Sequence, residues 1–155
     1  MRVYLVQHGE AAAKEVDASR PLTARGHKEV EAVAAFLKPL GVEVEAVWHS
    51  GKVRAVQTAE LLAGAVTTRQ GVVAHDGLGP KEDVTAAAEE LLRLNKDVFV
   101  VGHLPFLSRL ASLLLCGESS AGVVRFQYGG VVCLTRDEEG GWAVRWMVTP
   151  EAIGC

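Results

Sequence analysis

Cysteine is scarce in this chain of 155 residues, and its spacing forms no pattern. The three residues, Cys116, Cys133 and Cys155, are odd in number and far apart. That excludes a disulfide framework. Cys116 and Cys133 read as small apolar fillers and Cys155 as a thiol at the C-terminus. A surplus of positive charge is also missing. Sixteen basic and 19 acidic residues leave a net charge of −3, which argues against a reader of duplex nucleic acid. Any site for a charged ligand must therefore be local. Long apolar runs are absent as well. The longest, from Ala111 to Cys116, is interrupted by Ser112 and falls far short of the ~20 residues a membrane span needs. The opening run stops at Gln7-His8, too early for a signal-peptide core. The expected place is the cytoplasm, with neither membrane nor nucleic acid as partner. Asparagine occurs once and glutamine four times, an amide-poor composition that suits a thermophile.

What is present is a folding chain. At 49% hydrophobic and 23% charged, it is no disordered tail. A chain of this length buries roughly 68–70% of its unfolded surface and needs no covalent staple. No repeat, low-complexity tract or linker divides it, so one domain over residues 1–155 is expected, as a monomer.

Short apolar runs alternate with helical periodicity. Residues 3–6 read as a strand buried on both faces. Thr23 can cap a helix running to about Leu40, with Val30, Val33, Ala34 and Leu37 on one face and Gly41 ending it. Residues 42–48 form a second strand. Ser50 reads as the N-cap of a helix over 51–65. Residues 72–74 form a weak strand, and Pro80 opens a helix carrying Val84, Ala87, Ala88 and Leu91. Residues 98–101 are the clearest buried strand, followed by a helix from Pro105 to about Cys116. Residues 123–128, 131–135 and 142–148 read as strands, with a turn at 137–141. The predicted fold is α/β and three-layered: a mostly parallel central sheet, helices on both faces, and antiparallel strands at one edge.

In such sheets, ligands bind beyond the carboxyl ends of the strands. Three strand ends carry notable residues: Gln7-His8-Gly9-Glu10, His49-Ser50-Gly51-Lys52-Val53-Arg54 and Gly102-His103-Leu104-Pro105. Gly9 permits close approach of backbone and ligand. Arg54 opposes the helix dipole from the first turn, and His103 precedes another helix N-terminus. An anion held among His8, Arg54 and His103 accounts for all three. Phosphate fits best. A neutral imidazole is a competent phosphoryl acceptor, and arginine offers a planar fork matched to phosphate. No Walker loop, nucleophile elbow or metal-ligand spacing is present, so neither a cofactor nor a metal is expected. His27 reads as a surface residue of a helix and His49 as the end of a strand. His75 falls in a loop and carries no signal.

These segments resemble the signatures of the histidine phosphatases, the phosphoglycerate-mutase-like superfamily. Val6-Gln7-His8-Gly9-Glu10 resembles its Arg-His-Gly motif. Arg20-Pro21-Leu22-Thr23-Ala24-Arg25-Gly26 resembles Arg-Pro-Leu-Thr-x-x-Gly. Ser50-Gly51-Lys52-Val53-Arg54-Ala55-Val56-Gln57-Thr58 resembles Ser-Pro-x-x-Arg-Ala-x-Gln-Thr, and Val101-Gly102-His103-Leu104-Pro105 resembles the second histidine motif. The short chain and the Arg-Pro-Leu-Thr segment are most similar to the SixA-type phosphohistidine phosphatases.

The resemblance implies that His8 is the nucleophile and that Arg54 and His103 stabilise the transferred phosphoryl group. Gln7, Gly9 and Arg20 would complete the phosphate site. Two positions depart from the pattern: Gln7 replaces arginine, and Gly51 replaces proline. The implied activity is metal-independent removal of phosphate from phosphohistidine in a protein. A small phosphate ester as substrate, and a non-catalytic phosphate- or phosphoprotein-binding module, stay open. Glu10, Asp76 and Asp83 are the candidate proton donors by loop position.

Overall fold

Side-chain alternation along four adjacent strands divides the interior into two apolar cores. The computed structural model describes residues 1–155. Its strands are β1 (Arg2–Gln7), β2 (Glu43–Val44), β3 (Ala46–His49), β4 (Thr67–Thr68), β5 (Val72–Ala74), β6 (Val98–Gly102), β7 (Val131–Arg136) and β8 (Trp142–Val148). Its helices are α1 (Ala24–Leu37), α2 (Val53–Ala63), α3 (Val84–Leu94) and α4 (Phe106–Cys116). On β1 and β6, Val3, Leu5, Val98 and Val100 point to one face, where they meet Leu91 of α3 and Leu107 and Leu110 of α4. Tyr4, Val6, Phe99 and Val101 point to the other and meet Val33 and Leu37 of α1 and Leu62 of α2. Helices therefore cover both faces. Strands that are apolar on both sides belong in the middle of such a sandwich.

The sheet order is β5-β3-β6-β1-β7-β8. The first four strands are parallel; β7 runs antiparallel to β1, and β8 antiparallel to β7. This is the predicted three-layer α/β architecture with an antiparallel edge. No helix is long and apolar enough to cross a membrane.

Several boundaries differ from expectation. Residues 123–128 are not a strand. β7 already has β1 on one side and β8 on the other, so neither of its edges is free for them. They pass instead over the end of β1, where the Gly129 N–H donates to the Gln7 carbonyl at 3.0 Å. The predicted strand 42–48 is two: β3 joins the main sheet, while β2 pairs with the unforeseen β4. Helix α1 stops at Leu37 and tightens into a 3₁₀ turn over Lys38–Leu40 before Gly41. Pro80 does not open α3; Asp83 does, accepting the Thr85 N–H at 2.8 Å. Ser50 does not cap α2, which starts at Val53 after Lys52. Of the cysteines, Cys133 is buried, but Cys116 is exposed at the end of α4 rather than filling a core.

Two glycines let α1 press against the loop that follows β1. A Cβ on Gly26 would collide with the Glu10 carbonyl oxygen, and one on Gly9 would lie 2.8 Å from Val30 Cγ2. Gly26→Ala should therefore lower stability by about 1–3 kcal/mol, the usual cost of overpacking. Gly64→Ala is the contrast: its φ is −67° and its added Cβ would come no nearer than 3.5 Å to another atom. That change should be neutral or stabilising by up to about 1 kcal/mol. Denaturant unfolding of both variants checks the pair, and equal losses would contradict this packing.

Candidate active site

The carboxyl ends of β1, β3 and β6 bring His8, Ser50 and His103 together. His8 follows β1, and its backbone N–H donates to the Gly102 carbonyl at 3.1 Å. This continues the β1–β6 ladder and fixes the ring's starting point. The His8 and His103 ring centres lie 5.1 Å apart. Helix α2 begins nearby and carries Arg54 in its first turn.

The His8 ring has a defined tautomer. Nδ1 lies 2.7 Å from the Gly9 carbonyl oxygen. A carbonyl only accepts, so Nδ1 carries the proton and donates. Nε2 is then a bare lone pair, and Arg54 Nε donates to it at 3.3 Å. Burial, followed by the charges of Arg54 and Arg20, pushes the His8 pKa down to about 4, against the opposing effect of the Gly9 carbonyl. His103 is pushed down to about 3 by burial first, then by His8, Arg54, Lys52 and Arg20. Both rings are neutral at pH 7. Burial and Arg20 also hold Arg54 below the ordinary arginine value.

Arg20 reaches the site from the loop before α1. It adopts a left-handed φ of 50°, and its Nε donates to the Ala12 carbonyl at 3.0 Å. Gln57 of α2 pins that loop by accepting the Leu22 N–H at 2.7 Å. His8, Arg54, His103 and Arg20 thus share one region. Gly9 lies beneath them with its N–H donated to Thr58 Oγ1 at 3.0 Å. Gln7 is buried, its Oε1 has no partner, and its side chain bonds neither His8 nor Arg54. It lines an adjoining cavity with Glu10, Leu104 and Tyr128.

Side chains without an assigned role also enter the site. Ser50 Oγ pairs with His103 Nε2 at 2.5 Å, while His103 Nδ1 is buried without a partner. Tyr128 packs on His8, with ring centres 5.6 Å apart. Thr58 is fully buried beneath Gly9. The i, i+4 spacing of Arg54 and Thr58 on a helix could have pointed to Thr58; nothing local marks Tyr128. Two of the three candidate acids have other partners. Glu10 Oε1 accepts from the Thr23 hydroxyl at 2.8 Å, Asp83 caps α3, and Asp76 lines a separate cavity with His75 and Glu90. His27 is a surface residue on α1 beside Glu31, and His49 ends β3 with its Nδ1 accepting the Gly51 N–H at 3.0 Å. No group of three or more histidine, cysteine or acidic side chains is placed to share a metal ion.

Residues 3–79 match the sequence pattern of the histidine phosphatase superfamily, branch 1. The phosphohistidine phosphatase SixA of Escherichia coli (strain K12) is 31% identical over 155 residues, covering 97% of this chain and 94% of that protein. The structure of the protein histidine phosphatase SixA complexed with tungstate superposes with a TM-score of 0.85 at 31% identity, covering 97% of each chain. The fold extends to the α-ribazole phosphatase of Shigella flexneri, with a TM-score of 0.71 at 18% identity and 97% coverage of each chain.

The two depressed histidines tie stability to pH. In the unfolded chain each titrates near ~6.5. Between that value and about 3–4 the unfolded state binds more protons than the folded one, so stability increases with pH across this window. Their contribution is fully present above about pH 6.5 and is lost as the pH falls toward 3. Urea unfolding at successive pH values should show this slope, and His8→Gln should flatten part of it. A His8 signal titrating near 6.5 by NMR would contradict the burial argument.

Proposed function

The chain belongs to the histidine phosphatase superfamily, branch 1, and on that footing we propose that it removes the phosphoryl group from phosphohistidine in proteins, with His8 as the transient carrier. The observation that carries this reading is the bare Nε2 of a neutral His8, with a guanidinium N–H directed at the same point. The Nε2 lone pair forms a bond to phosphorus in line with the departing group. The substrate's P–N bond breaks, and its electron pair returns to the substrate imidazole. Water then attacks phosphorus, the bond to His8 breaks, and the pair returns to Nε2. Inorganic phosphate leaves with the water oxygen, and the spare proton passes to solvent.

Arg54, Arg20 and the N–H groups at the start of α2 provide fixed positive charge for the phosphoryl oxygens. His103 supplies a hydrogen-bonding ring to the same group. A metal has no charge deficit to fill. A P–N bond suits a site whose charged neighbours are cationic: Arg54 and Arg20 act on both His8 and His103, and Lys52 also acts on His103. An ester oxygen needs a proton donor to leave. A substrate imidazole protonated at its second nitrogen needs none. The mouth of the site favours a macromolecule. Val53, Leu104 and Tyr128, neighbours of Arg54, His103 and His8, are all about two-fifths exposed, and Lys52 is exposed beside them.

A phospho-enzyme trap followed by a substrate panel tests the proposal. Brief incubation with a radiolabelled phosphohistidine protein, quenched in alkali, should label His8; His8→Ala should remove both label and turnover. Activity should survive chelation and exceed that on aryl or sugar phosphates. Preference for esters would make it a small-molecule phosphatase. Phosphate binding without labelling would make it a binding module.

Arg54→Ala should lower kcat/KM by about 10²–10³, the cost of one donor aimed at transition-state charge. Arg93→Ala, on the exposed last turn of α3, should change it little. Steady-state kinetics on a phosphoramidate separates the two. Gln7→Arg should tighten inorganic phosphate binding and lower the activation free energy reported by kcat/KM, each by about 1–3 kcal/mol, because charge-assisted hydrogen bonds are the stronger class. Calorimetry with phosphate checks this, and unchanged affinity would place position 7 outside the phosphate site.

A further inference from the structure

One buried hydroxyl joins the segment that carries His8 to the helix that carries Arg54. Thr58 has no exposed surface. Its Oγ1 accepts the Gly9 N–H at 3.0 Å and donates to the Arg54 carbonyl at 2.8 Å. Gly9 in turn accepts from His8 Nδ1 at 2.7 Å, and Arg54 Nε donates to His8 Nε2 at 3.3 Å. The four contacts close a ring: Thr58 to Gly9, Gly9 to His8, His8 to Arg54, and Arg54 back to Thr58.

We propose that Thr58 is a positioning residue that sets the tautomer and aim of His8 through Gly9. Glycine rotates more freely than any other residue. The carbonyl that holds Nδ1–H lies on the far side of Gly9's two soft dihedrals from its N–H. With the N–H pinned by Thr58, only those two dihedrals can turn the carbonyl from Nδ1, so the anchored end favours the arrangement that leaves the lone pair on Nε2. Without the pin, the Gly9 carbonyl can turn away and Nδ1–H loses its acceptor. The other tautomer then becomes accessible, in which Nε2 carries the proton and cannot accept a phosphoryl group. The same hydroxyl fixes the first turn of α2, so nucleophile and cation move together or not at all. Thr58 touches neither substrate nor phosphoryl group in this scheme. Its catalytic part rests on the phosphatase reading, but its effect on the tautomer does not.

The test uses the whole protein labelled with ¹⁵N-histidine, with Thr58→Val as the isosteric variant lacking the hydroxyl and Thr58→Ser as the variant retaining it. At pH 7 the wild-type His8 ring should give nitrogen shifts of a single Nδ1–H tautomer. Thr58→Val should give averaged shifts of mixed tautomers. Its kcat on a phosphoramidate should fall on the order of 10–100-fold, the scale for losing a partner that orients a metal-ligating histidine, with KM nearly unchanged. Thr58→Ser should restore both readings to near wild type. If Thr58→Val does not fold, the same two readings on Thr58→Ala decide. A folded variant without the hydroxyl that keeps one tautomer and full kcat overturns the proposal. So does Thr58→Ser failing as badly as Thr58→Val. If the wild type turns over no phosphoramidate, the phosphatase reading fails, while the nitrogen shifts still settle the role of Thr58.

Discussion

A neutral imidazole held beside guanidinium groups is the constraint on which the carboxyl end of the sheet depends. His8 must keep its lone pair while Arg54 and Arg20 lie close, and two effects secure this. Burial penalises the charged ring, and the neighbouring cations penalise it further. The Gly9 carbonyl works in the opposite direction on charge, yet it chooses which nitrogen holds the single remaining proton. Charge state and tautomer are thus set by different groups, which is why the site needs both a crowded glycine and nearby arginines.

The helices reflect the same demand. α1 and α3 begin with side-chain caps, Thr23 and Asp83. α2 and α4, which begin beside Arg54 and His103, have none. Their first N–H groups lack the side-chain acceptor that stabilises the other two helices. An anion at the site can take that place. Ser50, a good cap by residue type, is drawn to His103 instead. Local helix stability is given up at the two helix ends where a negatively charged group would be handled.

Packing transmits these requirements into the fold. α1 can approach the β1 loop only because Gly9 and Gly26 lack side chains. That approach lets Thr23 accept from Gly26 while its hydroxyl also reaches Glu10. One oxygen of the Glu10 carboxylate is thereby engaged by the cap of α1.

Much of the fold and part of the site are legible in the sequence. Apolar runs at residues 3–6 and 98–101 read as central strands because only a strand buried on both faces is apolar at every position. The helical spacing of Val30, Val33, Ala34 and Leu37 marks α1 by the same logic of burial. His8, Arg54 and His103 group together by residue order alone, because parallel strands deliver their following loops to one end of the sheet. Other features required the tertiary structure. Residues 123–128 have strand composition, but whether they pair depends on a free edge, and β8 occupies the one beside β7. Ser50 and Thr58 have local uses that any sequence allows; their actual partners, His103 and Gly9, lie 53 and 49 residues away. The family arginine gives way to Gln7 in plain view, yet only the folded chain shows that amide lining a cavity beside Tyr128, the ring that packs on His8. Periodicity and residue type decide which segments form and where their ends gather. Long-range contacts alone decide which hydrogen bond each side chain makes, because those partners meet only after the layers close.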